Sequence, residues 1–544
     1  MLLILFYWMI LLLFTLGIGN QISHLLGSNR DNILFDFINA LFFYLLLAWI
    51  ASYFIGVASS IVLIILTFFG ILSIYFLLNN NIHYSCLDIF KNNSFFLFII
   101  LLIINTLFIS SLMPILRDNE TYYVQTIKWA GKYGFVPGLI NLHPFLGQFS
   151  GWHILQAAFF SFGNRFFNDL NGALLLIFSV FSLKYLQDLS KKKNNNFLLV
   201  FMGFQILLIP VYLFFLNAPS PDLPVFILAQ IIFFLFIINY QNPQKYLIFQ
   251  LIVFVFFALL IKLTAFPLIF LPLILIYKNS EISSIKLYIF MFLLTGILLI
   301  SKNYILTGYP FYPFNWFSEF FSPDWKYPKI LKQTMNILGR RESLALSFDK
   351  NIAKSFFTWL LNDMMHGFFH VLWIFFLILI PFLWRKSKIK EALKIIYFLG
   401  LIYFLVLLFI NPNNRFYGYF IVFFGIILFA TYYYRKISVK LILGSICVFL
   451  VGINIYFFKH QKHLSEKIFW TDPVSRYSGR FQQKEIGNLK YFYPDNPKIF
   501  WETGNSPLPS VSSKQINYFK KYYGFYPQKR KNRIKTGFYS KYDK

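Results

Sequence analysis

Apolar runs of about twenty residues recur along this chain, and they limit its fold more than any other feature. A bilayer core of about 30 Å is crossed by about 20 apolar helical residues. Runs of that kind lie near residues 2–18, 33–55, 57–79, 95–116, 166–187, 197–217, 223–240, 246–262, 264–278, 287–305, 368–384, 393–410, 416–434 and 438–458. They predict an all-α polytopic membrane bundle of about fourteen transmembrane helices. Composition agrees: 58% of the residues are hydrophobic and 13% charged, against about 25% charged in a soluble globule. Most of the surface must face lipid. Disorder, a fibrous repeat, a disulfide scaffold and a water-soluble enzyme are excluded. No self-similar period of about 20–50 residues suggests an array.

The formal charge of +28 divides unevenly. From Lys459 onward there are 18 Lys+Arg against 6 Asp+Glu, a net +12, which leaves +16 for the membrane part. No nucleic-acid-binding motif accompanies the charge, so no nucleic-acid partner is expected. Sidedness explains much of it. Residues 247–277 form one apolar run of about 46 Å as a helix, with Lys262 in the middle. A bare ammonium at the bilayer centre would cost roughly 2.5–3.5 kcal/mol. If the chain turns at Lys262, the basic loops at 191–193, 241–245, 278–286, 385–394 and 435–440 share one side. That is the positive-inside pattern.

The other face then carries 117–150, 217–224, 262–264, 303–367, 411–415 and the tail from Lys459. Two domains are expected: a membrane domain over 1–458, with large external loops at 117–150 and 303–367, and a small basic external soluble domain over 459–544. External juxtamembrane helices belong to the first. The opening span, Met1–Gly17, lacks a basic flank and a cleavage site and is read as retained. Cys86 and Cys447 form neither a disulfide framework nor a metal quartet.

Nearly all chemically able side chains fall on the external face. No phosphate-binding loop, dinucleotide fingerprint or zinc-protease motif occurs. The densest cluster is Arg117-Asp118-Asn119-Glu120-Thr121-Tyr122-Tyr123. Two carboxylates this close can hold a cation or leave one as a base; a polar helix end paired with Arg117 is the plainer alternative. His143 and His153 fit hydrogen-bonded interfacial histidines and are carried as substrate-binding candidates. Asp222 sits in the turn Ala218-Pro219-Ser220-Pro221-Asp222-Leu223-Pro224, whose prolines restrict the backbone; an N-cap is its alternative. Lys262 and Arg415 are cations at short external turns, which should be poor in them, and the pair Arg340-Arg341 in the long external loop could join them. A phosphate would satisfy such a set, as would lipid headgroups or salt bridges to Asp222 or Asp118.

The order of these elements resembles the GT-C class of membrane glycosyltransferases, in particular an uncharacterised bacterial branch. The likeness rests on Asp118-Asn119-Glu120, Tyr133-Gly134-Phe135-Val136-Pro137-Gly138 through His143, and Ser150-Gly151-Trp152-His153. It continues through Ser220-Pro221-Asp222, Lys262-Leu263-Thr264-Ala265, Thr307-Gly308-Tyr309-Pro310-Phe311-Tyr312-Pro313 and Asn414-Arg415-Phe416. It ends in Trp501-Glu502-Thr503-Gly504-Asn505-Ser506-Pro507-Leu508-Pro509. The resemblance covers about residues 95–510.

It implies a multi-pass protein of the bacterial inner (cytoplasmic) membrane, with a site facing the periplasm or exterior. The donor would be a polyprenyl-phosphate-linked sugar, and the acceptor a glycan, lipid or protein hydroxyl. Asp118 would take the acceptor proton and Glu120 would orient the acceptor or help hold a metal. Lys262 and Arg415, with Arg340 or Arg341, would neutralise the departing phosphate, and Asp222 would shape the opposite wall. The first loop reads D-x-E rather than D-x-D, so no cofactor is certain, and a divalent metal, held by Asp118 and Glu120 if at all, stays open. A lipid-linked glycan flippase or transporter, a polymerase or ligase of another membrane fold, and a non-enzymatic scaffold are the alternatives.

Overall fold

The computed structural model describes residues 1–28, 31–80, 82–159, 169–191, 197–279, 282–339, 360, 364–383, 389–432, 438–459, 475, 477, 479–498 and 500–543. Long apolar sequences become helices there: α1 (Leu2–Leu25), α2 (Ile33–Ser52), α3 (Ser60–Asn79) and α4 (Asn93–Ser110). Asn32 and Asn92 cap the second and fourth by accepting from backbone N–H groups of the first turn. Two short helices, α5 (Val124–Tyr133) and α6 (Gly151–Phe159), precede α7 (Asp169–Lys191). Then come α8 (Phe197–Phe204), α9 (Ile209–Leu213), α10 (Asp222–Gln241), α11 (Lys245–Ile261), α12 (Phe270–Asn279), α13 (Ile282–Thr307) and α14 (Lys329–Gly339). The bundle closes with α15 (Met364–Leu383), α16 (Lys390–Ile410), α17 (Asn414–Tyr432) and α18 (Val439–Lys459).

Among the described residues, ten helices are long and apolar enough to cross a membrane, and four apolar stretches are shorter: Val200–Leu213, Lys245–Ile261, Leu263–Asn279 and Gly367–Phe382. The chain is thus a mostly helical, multi-pass membrane protein. Prolines and local 3-10 turns account for some shortening, at Gln205–Leu208 before Pro210 and at Leu263–Ile269 around Pro267. Helix α11 stops at Ile261, and Lys262 is extended, so the apolar run at 247–277 is broken where the charge stands.

Helix α10 is the hub, with 89% of its best apolar window buried, whereas α3, α13 and α18 have 22% buried and turn their Ile, Leu and Phe outward. An apolar helix exposed in this way needs a lipid neighbour.

The tail folds into a small cap. Strands β1 (Phe481–Ile486) and β2 (Leu489–Pro494) form one antiparallel hairpin; β3 (Phe525–Lys529) and β4 (Phe538–Tyr542) form another, with α19 (Ser513–Tyr523) before β3. The cap seats on the loop over residues 117–150. Gln125 donates to the carbonyls of Gly504 and Ser506, Lys128 to those of Asn505 and Ser506, and Phe538 N–H to Pro137 O. Gly138 has φ 63°, and a Cβ there would meet Phe538 O at 2.1 Å, so only glycine permits this approach.

Candidate functional site

Residues 119–123 form a single π turn after Asp118. Its wider i, i+5 spacing puts Tyr123 beneath Asp118, and the Tyr123 hydroxyl lies 3.3 Å from Asp118 Oδ2. Opposite stands the proline turn before α10. Asn171 holds that turn by donating to the carbonyls of Ala218 and Ser220, and Trp152 Nε1 fixes Asn171 at 2.6 Å. Asp222 is the first residue of α10; its carboxylate gains from the helix dipole, and its own N–H is met by Ser220 Oγ at 3.3 Å. It is not the side-chain N-cap that the sequence also allowed.

Arg415, at the start of α17, joins the two walls. Its Nη1 donates to Asp118 Oδ2 at 2.7 Å, its Nη2 to Asp222 Oδ2 at 2.6 Å and to the Tyr123 hydroxyl at 3.0 Å, and its Nε to Asp222 Oδ2 at 2.9 Å. Lys262 donates to Asp222 Oδ1 and lies over the Phe416 ring. The result is a line of alternating charge, Lys262, Asp222, Arg415, Asp118. Its inner carboxylate, Asp222, is 1% exposed, whereas the side chains of Arg415 and Asp118 are 31% and 30% exposed. Asp222, buried between the two cations, is a fixed counter-charge. The outer end is reachable.

Burial raises the Tyr123 hydroxyl above the ordinary tyrosine range although Arg415 opposes it, so Tyr123 remains a hydrogen-bond donor. The His153 ring packs against Tyr123 at 4.8 Å, and its Nε2 lies 3.0 Å from Pro219 O. A carbonyl partner requires the proton on Nε2. Burial pushes His153 down to about 3, so it stays neutral and acts as a strut between the loop and the proline turn.

The remaining candidates lie elsewhere. Glu120 is buried; Ser475 Oγ donates to its Oε2 at 2.5 Å, and its backbone carbonyl accepts from Thr503 and Gly504 N–H at 2.9 Å each. His143 is buried beside Trp501, with Nε2 3.2 Å from the Trp501 carbonyl. Both belong to the seat of the cap. Arg340 and Arg341 lie outside the described residues. Sequence reasoning passed over Tyr123, Ser220 and Ser475; the nearness of Tyr123 to Asp118 was the one available signal.

A divalent ion does not fit this arrangement. Asp118 is engaged by a guanidinium and Glu120 by a serine of the cap, and among the described residues no three His, Cys, Asp or Glu side chains gather as ligands.

A family model described as a domain of unknown function, DUF8201, matches residues 1–424. The chain belongs to the DUF8201 family. No curated protein and no solved structure matches it. All four members of the charge line lie inside the DUF8201 match, whereas the cap follows it.

Proposed function

We propose that this chain is an integral membrane glycosyltransferase that moves a sugar from a polyprenyl-phosphate donor to an acceptor hydroxyl at the outer face of a bacterial inner membrane. One observation carries the reading: Asp118, Asp222, Lys262 and Arg415, far apart in sequence, meet in one charge line with its outer end open. The GT-C-like order of motifs supports the choice of donor.

The line is electrically balanced before a donor arrives. An incoming phosphate competes with Asp118 for Arg415 Nη1, while Asp222 keeps both cations in place. Once displaced, Asp118 is a free carboxylate beside the reacting centre. The acceptor oxygen attacks the anomeric carbon and its proton passes to Asp118. The bond from the anomeric carbon to the phosphate oxygen breaks, and its electron pair stays on the lipid phosphate. Arg415 and Lys262 stabilise that added charge, so no general acid is needed. Single displacement inverts the anomeric configuration.

The test is sugar transfer by full-length protein in proteoliposomes, with polyprenyl-phosphate hexoses and pentoses as donors. Asp118→Asn should lose at least about 10²-fold in rate with insertion intact. Full activity in that variant would reject Asp118 as the base. Movement of lipid-linked glycan across the bilayer, with no new glycosidic bond, would favour the flippase reading.

A further inference from the structure

Just past Thr307, where α13 ends, the chain folds into a loop that presents a run of aromatic rings outward, with Asn315 and Glu319 exposed among them. Phe314, Trp316, Phe317, Phe320 and Phe321 are all exposed, Phe320 to 82%. Two of the nearby lysines, Lys326 and Lys332, turn onto the loop itself, whereas Lys329 is exposed. Lys326 donates to the carbonyls of Ser318 and Phe321 at 2.5 and 2.7 Å, and Lys332 to Phe314 O and Asn315 Oδ1 at 3.0 and 2.5 Å. Two ammonium groups thus hold the backbone from within while the rings point out.

The rings are arranged, not merely left over. Phe314 stacks on Trp316 at 4.9 Å, and Phe311 packs on both Trp316 and Phe317. Phe317 has φ 57°, a left-handed conformation that a residue with a Cβ rarely adopts. An apolar patch of this kind on a folded chain marks an interaction surface.

Its position identifies the occupant. The outward face of α13, with Phe290, Leu293, Ile297 and Ile300, is exposed along a helix apolar enough to span a membrane, and one turn beyond Ile300 the half-buried Tyr304 packs against Phe321 of the loop at 5.4 Å. Aromatic side chains gather at that depth in membrane proteins. The same end of α13 lies on the side of the charge line, since Ile305 O accepts from Gly138 N–H in the first external loop.

We propose that residues 314–321 form an aromatic hook that inserts into the headgroup and upper acyl region of the bilayer on the side of the charge line. The base of the hook shares a small apolar core with the cap: Ile140, Tyr309, Tyr312, Tyr327, Leu331 and Phe519. Insertion therefore holds the cap and the Asp118 loop at a set height over the lipid. This inference needs only the membrane character of the chain and stands apart from the glycosyltransferase reading.

The experiment places an environment-sensitive nitrobenzoxadiazole label on Phe320→Cys, and separately on Trp316→Cys, in full-length protein carrying Cys447→Ser; Cys86 is buried. The protein is reconstituted in phosphatidylcholine vesicles with spin-labelled lipid quenching near the headgroup or near the chain end. Both labels should show blue-shifted emission and headgroup-region quenching severalfold stronger than a label on Lys484→Cys of β1, an exposed position on the cap. Water-like emission at both positions, or quenching no stronger than at residue 484, overturns the proposal. So does a blue-shifted label that no lipid quencher reaches, which would indicate a protein partner or a second copy.

Discussion

Asp118 and Asp222 hold the same guanidinium in different surroundings, and that difference separates their roles. Asp222 is almost wholly buried between two cations. Removing its charge takes the carboxylate from Lys262 and leaves Arg415 with Asp118 alone; breaking a buried pair in this way typically costs about 3–5 kcal/mol. Asp222→Asn should therefore lower the thermal midpoint of the purified protein sharply, whereas Asp118→Asn, at the exposed end, should barely move it. Equal losses would mean that the two carboxylates are not divided into counter-charge and reacting group. His143 supplies a pH effect. Burial pushes it down to about 4, against about 6.5 in the unfolded chain. Between those values the unfolded state binds the extra proton, so stability falls as pH drops through that window. His153 acts in the same sense down to about 3. The fall in thermal midpoint on acidification should be shallower in His143→Asn; an unchanged slope would remove His143 from the account.

Among the elements, the π turn and the cap have the largest consequences for the site. Asp118 and Glu120, two residues apart in the D-x-E pattern, face different partners, Arg415 on one side and Ser475 on the other, as i, i+2 side chains on a helical turn do. The π turn instead brings the Tyr123 hydroxyl to Asp118, and nothing local in the sequence reports its extra residue. The motif Trp501 to Pro509 was visible as a pattern, but its use was not. It is the strip by which the cap binds the loop, through the Gly504, Asn505 and Ser506 carbonyls. Replacing both Gln125 and Lys128 with Ala should speed backbone hydrogen exchange over residues 501–510, with little change in α10 and α11. Gly138→Ala should do the same over β4, because the added carbon meets the Phe538 carbonyl. Unaltered exchange in both variants would show that the cap is held by other contacts.

At the scale of the whole molecule, helix length separates the charge line from the basic loop at 241–245. From Asp222 to Gln241, α10 rises about 30 Å, the thickness of a bilayer core. Its far end therefore opens on the opposite side from the charge line. Reporters fused after Asn242 and after Ser510 should report opposite sides, the first cytoplasmic; the same side for both would overturn this topology. The sequence alone established the class of molecule, because an apolar run reports its environment residue by residue and few charges can enter lipid. It also singled out the break at Lys262, since a charge in mid-run cannot be left at mid-bilayer. Which charge would meet which was settled only by folding. Asp118, Asp222, Lys262 and Arg415 lie on four separate segments, and their pairing depends on how α10, α11 and α17 pack around one another. Helices so uniformly apolar carry no pattern that names their neighbours. The seat of Glu120 under the cap stayed hidden for another reason: it exists only once residues more than 350 positions apart are brought together.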